Sequence, residues 1–521
     1  MKNLPPTVVS SKSFLYEMTL AALSGLCLVL AFPAFDWSLL AWIGFVPLLI
    51  SVKNVPLSRA WLLSSMTGTL WILGGYCWLN YVAEHFMQLF FPLNWLFALG
   101  YSLFWSQLPA IFVTGTLWIQ RKTSWPEMFV FPILATGCWS VFPNIFFFNL
   151  GNGTTPLLTA LQGIEWTGTY GLDFMMMLVN VTVWKLWESR GKAWKQPTFI
   201  AALVLISIWF GYGSWRLSNW QTLISQWHET IIGIVQPDNE ASFQTLPPEP
   251  GYSKVYPPEM EMSLKLAGQG ATMIVWPEGN SFYFTQDLEV RKAFLKQTRE
   301  MGVHLVFHDK MVEWHGRQPL FRNSTFWLMP SGLLGGIYHK RKLVPFGEYI
   351  PWLEDGTAIM EWFGIGGVLT PGTETAVFDI SGMRVVPLIC YEIQFQEFVG
   401  DAIGEDSKGK ILVVQSNDGW YGQGAQSAQH RTSNVLRAVE NRVPVVHVIN
   451  NGASSVVMPD GETIFLSPEG QRGSWAVKVP YSSEHGGTFF SRHPHWFIWW
   501  MRGMAIVMML MAIFKSRSKR G

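Results

Sequence analysis

Charge is scarce in this sequence. Only 14% of its 521 residues are Asp, Glu, Lys or Arg, against about 25% in an ordinary soluble chain. The formal net charge is +1, so no global excess of either sign points to nucleic acid or to an acidic partner. Apolar residues make up 49% of the chain, and 28 residues are tryptophan. Much of the chain must therefore contact lipid.

Cysteine is scarce too, which excludes a disulfide framework. Of four cysteines, Cys27, Cys77 and Cys138 fall inside apolar runs, and only Cys390 lies in a water-compatible region. The sequence also lacks H-E-x-x-H, paired-cysteine and Asp-rich spacings. We therefore expect neither a bound metal nor another cofactor.

Long apolar runs, by contrast, are abundant. Eight of them reach or approach the roughly 17 to 25 residues that a membrane-spanning helix needs. The first reads as a retained helix, because no small-residue cleavage pattern follows it. The sequence predicts a polytopic α-helical membrane domain, with helices one to seven in residues 1–214 and an eighth helix with a basic cytoplasmic tail in residues 493–521. The runs lie near 14–34, 37–52, 60–82, 92–118, 126–148, 169–188, 197–214 and 496–514.

The loops between these runs differ in their basic residues. If both termini are cytoplasmic, the short outside loops near 35, 84 and 149–168 contain no Lys or Arg. Such asymmetry follows the positive-inside rule and makes residues 215–492 extracytoplasmic. The inside segments then hold Lys2, Lys12, Lys53, Arg59, Arg121, Lys122, Lys185, Arg190, Lys192, Lys195, Lys515, Arg517, Lys519 and Arg520.

Residues 215–492 have a different pattern. Short β-rich runs alternate with polar or helical stretches such as 287–301 and 427–440, which indicates an α/β domain. At roughly 280 residues, the segment is long enough to bury its own core. The predicted strands are 231–235, 273–276, 303–307, 385–389, 411–414 and 445–449.

Cys390 ends one of these strands and is followed at once by Tyr391 and Glu392. Strand ends are where α/β enzymes place nucleophiles. A lone cysteine after an apolar strand is, however, as easily a buried structural residue. Two further motifs bear on the choice.

Both motifs place charged residues after apolar strands. In Trp276-Pro277-Glu278-Gly279, desolvation would raise the pKa of the carboxyl toward that of a general base, although a solvated turn acid would look the same. In the second, Y-H-K-R-K-L-V-P-F-G-E, Lys340 precedes Glu348 by eight residues. Three basic residues in four are more usually a solvated face.

Taken together, the order Glu278, Lys340, Cys390 resembles the Glu-Lys-Cys triad of the nitrilase, or carbon–nitrogen hydrolase, superfamily. The motifs W-P-E, Y-x-K-x-x-L-V-P-F-G-E and C-Y-E occur together between the seventh and eighth apolar runs. This arrangement is similar to that of the membrane branch of apolipoprotein N-acyltransferases, over nearly the whole chain. The resemblance implies a nitrilase-like αββα sandwich beside the membrane helices.

The resemblance also suggests roles for the residues. Glu278 would take the proton of the Cys390 thiol, since thiolate is the effective nucleophile, and Lys340 would lower the thiol pKa and face the oxyanion. Supporting roles are implied for Glu348, which would hold Lys340, for Tyr391, and for Glu392, which would help to position the substrate amine. A Cys–His dyad using His304, His308, His430 or His447 is an alternative.

The reaction implied is transfer of an acyl chain from a membrane phospholipid, through a Cys390 thioester, to the α-amino group of a lipoprotein's N-terminal S-diacylglyceryl-cysteine. The partners would be the phospholipid donor and a diacylated apolipoprotein, met by a monomer whose catalytic domain faces the periplasm from a bacterial inner membrane. A membrane-tethered amidohydrolase with the same triad differs only in using water. A transporter or structural protein with a dead domain is disfavoured by the complete triad.

One apolar stretch suggests a lid. Trp362 and Phe363 begin a run with three glycines that suits no regular helix or strand. Beside the site and facing the bilayer, it could dip into the interface and open for a lipid tail. An ordinary core-packing loop would have the same composition.

Overall fold

The computed structural model describes residues 11–242, 247–279, 281–316, 318–353, 357, 360 and 368–518. The N-terminal half is helical, and its shorter helices end where prolines or polar residues interrupt the apolar runs. In chain order these helices are α1 (Ser11–Ala31), α2 (Val46–Val52), α3 (Leu57–Gly75), α4 (Leu79–His85), α5 (Leu93–Trp105), α6 (Gln107–Lys122), α7 (Glu127–Trp139), α8 (Leu158–Leu161), α9 (Ile164–Thr167), α10 (Thr169–Glu188) and α11 (Pro197–Ile224).

Four helical stretches of the described chain are long and apolar enough to cross a membrane: Ser13–Ala31, Leu93–Lys122, Pro197–Ile224 and Trp496–Lys515. Ser38–Val52 and Glu127–Trp139 are shorter apolar helices. The helices differ in how far protein encloses them. Helix α10 is central, with 13 of its 20 residues buried, whereas α11 is peripheral, with only 4 of its 28 residues buried. A helix enclosed by protein can carry polar residues such as Asp173 and Asn180, which lowers its hydropathy. The count of eight spans stays a prediction.

Residues from His228 onward form two six-stranded sheets. The first has the order β12-β1-β2-β3-β4-β5 and the second β11-β10-β9-β8-β7-β6. Each of the six predicted strands overlaps a strand of these two sheets. The strands are β1 (His228–Gln236), β2 (Met273–Val275), β3 (His304–His315), β4 (Gln318–Leu328), β5 (Leu334–His339), β6 (Phe378–Ile380), β7 (Met383–Ile389), β8 (Lys410–Ser416), β9 (Val445–Ile449), β10 (Ser455–Val457), β11 (Thr463–Leu466) and β12 (Gly473–Tyr481).

Helices cover the outer face of each sheet. Strands β1 to β3 pair in parallel, as do β7 to β9, and parallel strands need such crossover helices. The result is an α/β sandwich of four layers. The helices are α12 (Pro258–Gly268) and α13 (Leu288–Met301) on the first sheet, α14 (Gln396–Ile403) and α15 (Ala425–Asn441) on the second, and α16 (Phe489–Arg492) and α17 (Trp496–Ser518) after it.

The two faces of β7 belong to different cores. Val385 and Ile389 pack between the sheets, whereas Val386 and Leu388 belong to the apolar cluster that contains the membrane helices. This alternation is the two-residue period of a strand. Sheet two and its covering helices therefore share one continuous core with the N-terminal helices.

Buried polar contacts reinforce this junction. The Arg442 Nε atom lies 2.6 Å from Glu165 Oε2, and both side chains are almost fully buried. The Thr169 N–H donates to Gln396 Oε1 and Glu440 Oε1, each at 2.7 Å. Because breaking a buried ion pair leaves an uncompensated charge, these contacts fix the sandwich at one place on the helices.

Candidate active site

Three strand ends meet at one edge of the sandwich. Glu278 follows β2, Lys340 follows β5 and Cys390 follows β7, so two sheets contribute to one site. The Lys340 Nζ atom lies 3.8 Å from Glu278 Oε1, and the Glu278 carboxylate is close enough to the Cys390 thiol to raise its pKa. Lys340 is fully buried, whereas Glu278 keeps 12% of its side-chain surface exposed. The fold thus brings the three predicted residues together.

Asn323 and Glu348 orient the two charged groups. The Lys340 ammonium donates to Glu348 Oε1 at 2.8 Å. The Asn323 amide donates to Glu278 at 2.8 Å and to Glu348 at 3.1 Å. The Val344 N–H closes the loop on the other Glu348 oxygen at 2.8 Å. Sequence reasoning missed Asn323, because a polar residue within a strand has no motif of its own.

The charges of the site differ from those expected from the sequence. Burial raises the pKa of Glu278, but the Lys340 ammonium, His308 and the Asn323 amide outweigh burial and hold this pKa below its ordinary value. The predicted raised pKa is therefore wrong in direction. Burial and the Glu278 charge also raise the pKa of the Cys390 thiol, despite the opposing effect of Lys340. The resting site holds a neutral thiol beside an ionised carboxylate and an ammonium.

The Cys390 backbone has a left-handed conformation, with φ of 50°. This region is unfavourable for residues other than glycine and recurs at functional sites. A 3₁₀-helix, Cys390–Gln394, begins at the cysteine, and the first N–H groups of a helix lack partners within it. The N–H of Tyr391 is therefore suited to bind an oxyanion.

Glu392 ties the lysine loop to the cysteine turn. Its carboxylate accepts hydrogen bonds from Tyr338 OH (2.8 Å), Arg341 N (2.7 Å), Lys342 N (3.1 Å) and Ile389 N (2.8 Å). Because these donors occupy a fully buried carboxylate, the contacts favour a positioning role. The expectation that Glu392 helps to position the substrate amine stays a prediction.

Aromatic residues connect the site to the membrane helices. Tyr391 OH donates to the Ile145 carbonyl, beyond the end of α7. On the other side, the Tyr421 ring lies 5.2 Å from Trp78 and 6.0 Å from Phe146. Tyr391, next to Cys390, and Tyr421 thus contact segments that adjoin helices of the N-terminal half. The predicted lid residues Trp362 and Phe363 lie outside the described residues.

His430, considered from the sequence only as a possible member of a Cys–His dyad, contacts the backbone of Cys390 instead. Its Nδ1 lies 2.9 Å from Asp418 Oδ1, and its Nε2 lies 3.3 Å from the Cys390 carbonyl oxygen. Both partners are acceptors, whereas neutral imidazole carries only one N–H. Burial lowers the pKa of His430, but Asp418, the Cys390 carbonyl and Glu278 raise it above its ordinary value. These contacts favour a protonated imidazole that holds the backbone carbonyl of Cys390.

The other histidines serve different contacts. His447 lies between Ser416 Oγ (2.6 Å) and Asn434 Oδ1 (3.0 Å), and burial lowers its pKa. His308 contacts Asn323, and His304 contacts Trp327. Among the described contacts, no imidazole reaches the Cys390 sulfur, so the Cys–His alternative has no geometric support.

Outer-shell partners that orient metal ligands are worth 10- to 100-fold in activity, and by analogy we expect His430→Gln to lower the rate of Cys390 acylation about tenfold. A raised folded pKa adds stability that is complete below the unfolded value of 6.5 and lost as pH rises through the folded pKa. The melting temperature of the unmodified chain should therefore fall over that window, and the fall should be smaller in His430→Gln. Parallel melting profiles would show that His430 is not a buried cation.

Comparison with known proteins agrees with this geometry. Residues 215–482 match the family model of carbon–nitrogen hydrolases, and residues 24–182 match that of the apolipoprotein N-acyltransferase N-terminal domain. The chain is 27% identical to the apolipoprotein N-acyltransferase of Geobacter metallireducens, covering 94% of each chain. It is also 27% identical to that of Chlorobaculum tepidum, over 96% of this chain and 97% of the relative.

An amidase from Nesterenkonia sp. is among the similar solved structures, with a TM-score of 0.38, 18% identity, and coverage of 52% of this chain and 96% of the amidase. The model of carbon–nitrogen hydrolases spans more than half of this chain. The match of the N-terminal domain and the relatives that align over nearly the whole chain identify the branch of that family. The chain belongs to the carbon–nitrogen hydrolase family, within its apolipoprotein N-acyltransferase branch.

Proposed function

We propose that this chain is an apolipoprotein N-acyltransferase, which moves an acyl chain from a membrane phospholipid to the α-amino group of the N-terminal S-diacylglyceryl-cysteine of a lipoprotein. The observation that carries the proposal is the position of the Cys390 thiol. The thiol lies close enough to Glu278 and Lys340 to interact with both charges, in a sandwich that shares its core with the membrane helices. Relatives named for this activity align along nearly the whole chain.

In the first half-reaction, Cys390 Sγ attacks an ester carbonyl of the phospholipid while its proton passes to Glu278. The Lys340 ammonium and the N–H of Tyr391 stabilise the oxyanion of the tetrahedral intermediate. When the intermediate collapses, the carbon–oxygen bond breaks, and Glu278 returns the proton to the leaving alkoxide. The products are a lysophospholipid and an acyl thioester on Cys390.

In the second half-reaction, the lipoprotein amine attacks the thioester carbonyl. Glu278, ionised again, accepts a proton from the amine, and Lys340 again faces the oxyanion. Collapse expels the Cys390 thiolate, which takes the proton back from Glu278, and releases the amide product. The lowered pKa of Glu278 keeps the base ionised between the two half-reactions.

The membrane arrangement belongs to the same proposal. We place helices one to seven in residues 1–214, the catalytic domain in 215–492 and an eighth span in 493–521, with both termini cytoplasmic and a monomer acting from the periplasmic side of the inner membrane. Loop charge supports this orientation. Confining enzyme, donor and acceptor to one bilayer surface raises their effective concentration, a gain that a soluble amidase does not need.

Intact-mass measurement tests the function. Incubation of the purified chain with phospholipid should add one acyl mass to Cys390, and a diacylglyceryl-cysteine peptide should then remove it as the N-acylated peptide. The same peptide with an acetylated amine is the matched control and should leave the adduct in place. Discharge at equal rates with both peptides would mean that water resolves the thioester, as in a tethered hydrolase.

A further inference from the structure

Two cations beside the site have no role in the chemistry above. Arg341 and Lys342 follow Lys340, and their backbone N–H groups are held by Glu392. Within the described ranges, neither side chain forms an ion pair with a carboxylate. Instead, the Arg341 guanidinium lies 4.9 Å from the centre of the Phe398 ring, and the Lys342 ammonium lies 5.7 Å from that of Phe395.

These four side chains form a surface that we call the cationic platform. Aromatic faces attract cations at such distances, so the rings restrict both side chains without neutralising them. Lys342 is exposed and Arg341 is half-buried. Among the residues that the structure describes, no carboxylate pairs with these two positive charges, and their restricted freedom suits an anion of phosphate type.

The platform adjoins the nucleophile. The Phe395 ring lies 4.8 Å from the ring of Tyr391, the residue after Cys390. The Glu392 carboxylate binds the N–H groups of both basic residues and that of Ile389, the residue before Cys390. A ligand on the platform would therefore lie at the edge of the catalytic site.

The same surface lies at the outer ends of membrane helices. Phe395 packs against Phe147, 4.8 Å away, in the segment after α7. At the other end of α14, His495 Nε2 lies 3.3 Å from Asp401 Oδ2, one residue before the membrane-spanning helix α17 begins at Trp496. The platform is thus at the depth where lipid headgroups meet a membrane protein.

The chain that continues from the platform is apolar and exposed. Phe346, Leu353 and Trp352 keep 48%, 46% and 95% of their surfaces exposed. A solvated basic face would have polar neighbours, whereas aromatic residues beside basic ones are typical of the membrane interface. These neighbours favour a lipid over a soluble anion as the ligand.

We propose that Arg341 and Lys342 bind the headgroup phosphate of the phospholipid acyl donor. This inference rests on the proposed function and specifies how its donor is recognised. The phosphodiester would occupy the platform while the adjoining glycerol esters reach Cys390. Donors that lack a phosphate, such as diacylglycerol, would then acylate Cys390 more slowly than phospholipids with the same acyl chains.

The test compares two donors and two charge-matched variants. The full chain, Arg341→Gln/Lys342→Gln, and Lys292→Gln/Lys296→Gln are reconstituted in vesicles of phosphatidylethanolamine or in detergent with diacylglycerol. Lys292 and Lys296 are exposed residues of α13, so their variant loses the same charge elsewhere. Acyl-Cys390 is followed by intact mass, and alkylation by iodoacetamide confirms that each variant keeps an intact site.

We expect the ratio of the phospholipid rate to the diacylglycerol rate to fall about tenfold in Arg341→Gln/Lys342→Gln, as for loss of charge-assisted phosphate contacts, and to be unchanged in the α13 variant. An unchanged ratio, or an equal fall in both variants, would overturn the headgroup site. If inorganic phosphate inhibited the unmodified chain but not Arg341→Gln/Lys342→Gln, the platform would be assigned to a soluble anion instead of a lipid headgroup. An unmodified chain that forms no adduct from any phospholipid would overturn the proposed function itself.

Discussion

Cys390→Ser is expected to lower acyl transfer by about 10⁴-fold or more, the cost of removing a member of a catalytic triad. The Glu278 carboxylate has a pKa below its ordinary value of 4.5, which makes it a weak base. It can take a proton from a thiol as the thiol attacks, but a serine hydroxyl is a far weaker acid. The variant should therefore form no acyl adduct that intact mass detects.

The fold should survive this change, because serine is smaller than cysteine and the neighbouring carboxylate can accept its hydrogen bond. Cys77→Ser is the matched control, since Cys77 is an exposed thiol of the helical region, and it should keep full activity. Acyl transfer by purified Cys390→Ser at the unmodified rate would exclude Cys390 as the nucleophile. A melting temperature equal to that of the control would separate lost chemistry from lost folding.

The positions of the triad residues were predictable because each follows an apolar strand. Val385 to Ile389 are apolar at successive positions, which is typical of a strand buried on both faces, and the next residue is the thiol. The short strands β6, β10 and β11 were not predicted, because each is three or four residues long and carries too little pattern. They form by pairing with neighbouring strands, β6 with β7 and β10 with β9 and β11, and the strand propensity of so short a segment depends on that context.

The electrostatics of the site were less accessible from the sequence. Desolvation was expected to dominate at Glu278, yet Asn323 and Lys340 reverse it, and Asn323 reaches the site only because β4 pairs with β3 and β5. His430 lies on α15, 40 residues after Cys390, and contacts the carbonyl of that cysteine rather than its thiol. A search for partners of the thiol could not find such a contact.

The prediction of the number of membrane spans was limited by a different effect. A hydropathy criterion identifies apolar helices with little burial, such as α11. It can miss a helix that is enclosed by protein, because such a helix can carry polar residues that lower its hydropathy. Glu165 and Arg442 illustrate the same limit, because each charge alone would be unfavourable at its buried position and only the fold joins the pair. The predicted topology therefore rests on the distribution of Lys and Arg among the loops and on the family motifs.

Lys340→Met is expected to slow acylation of Cys390 by about 10³-fold, the upper range for loss of one oxyanion donor. It should also change the pH dependence of the thiol. In the unmodified chain the pKa of Glu278 lies below 4.5, so the base stays ionised above that pH, and base-assisted reactivity falls only as pH drops through the folded pKa. Without Lys340, Glu278 and Glu348 share the Asn323 amide with no ammonium between them. Burial and like charge then raise the pKa of Glu278.

The acid limb of Cys390 alkylation by iodoacetamide should therefore move above pH 4.5 in Lys340→Met, and remain below it in the unmodified chain and in the surface control Lys292→Met. Alkylation needs no oxyanion donor, so its pH profile reports on the base rather than on the lost catalytic contact. If the limb were unmoved while acylation fell, Lys340 would act on the oxyanion alone and another group would keep Glu278 ionised. If both were unmoved, Lys340 would have no part in the reaction, although its position 3.8 Å from Glu278 makes that outcome difficult to reconcile with Coulomb's law in a buried site.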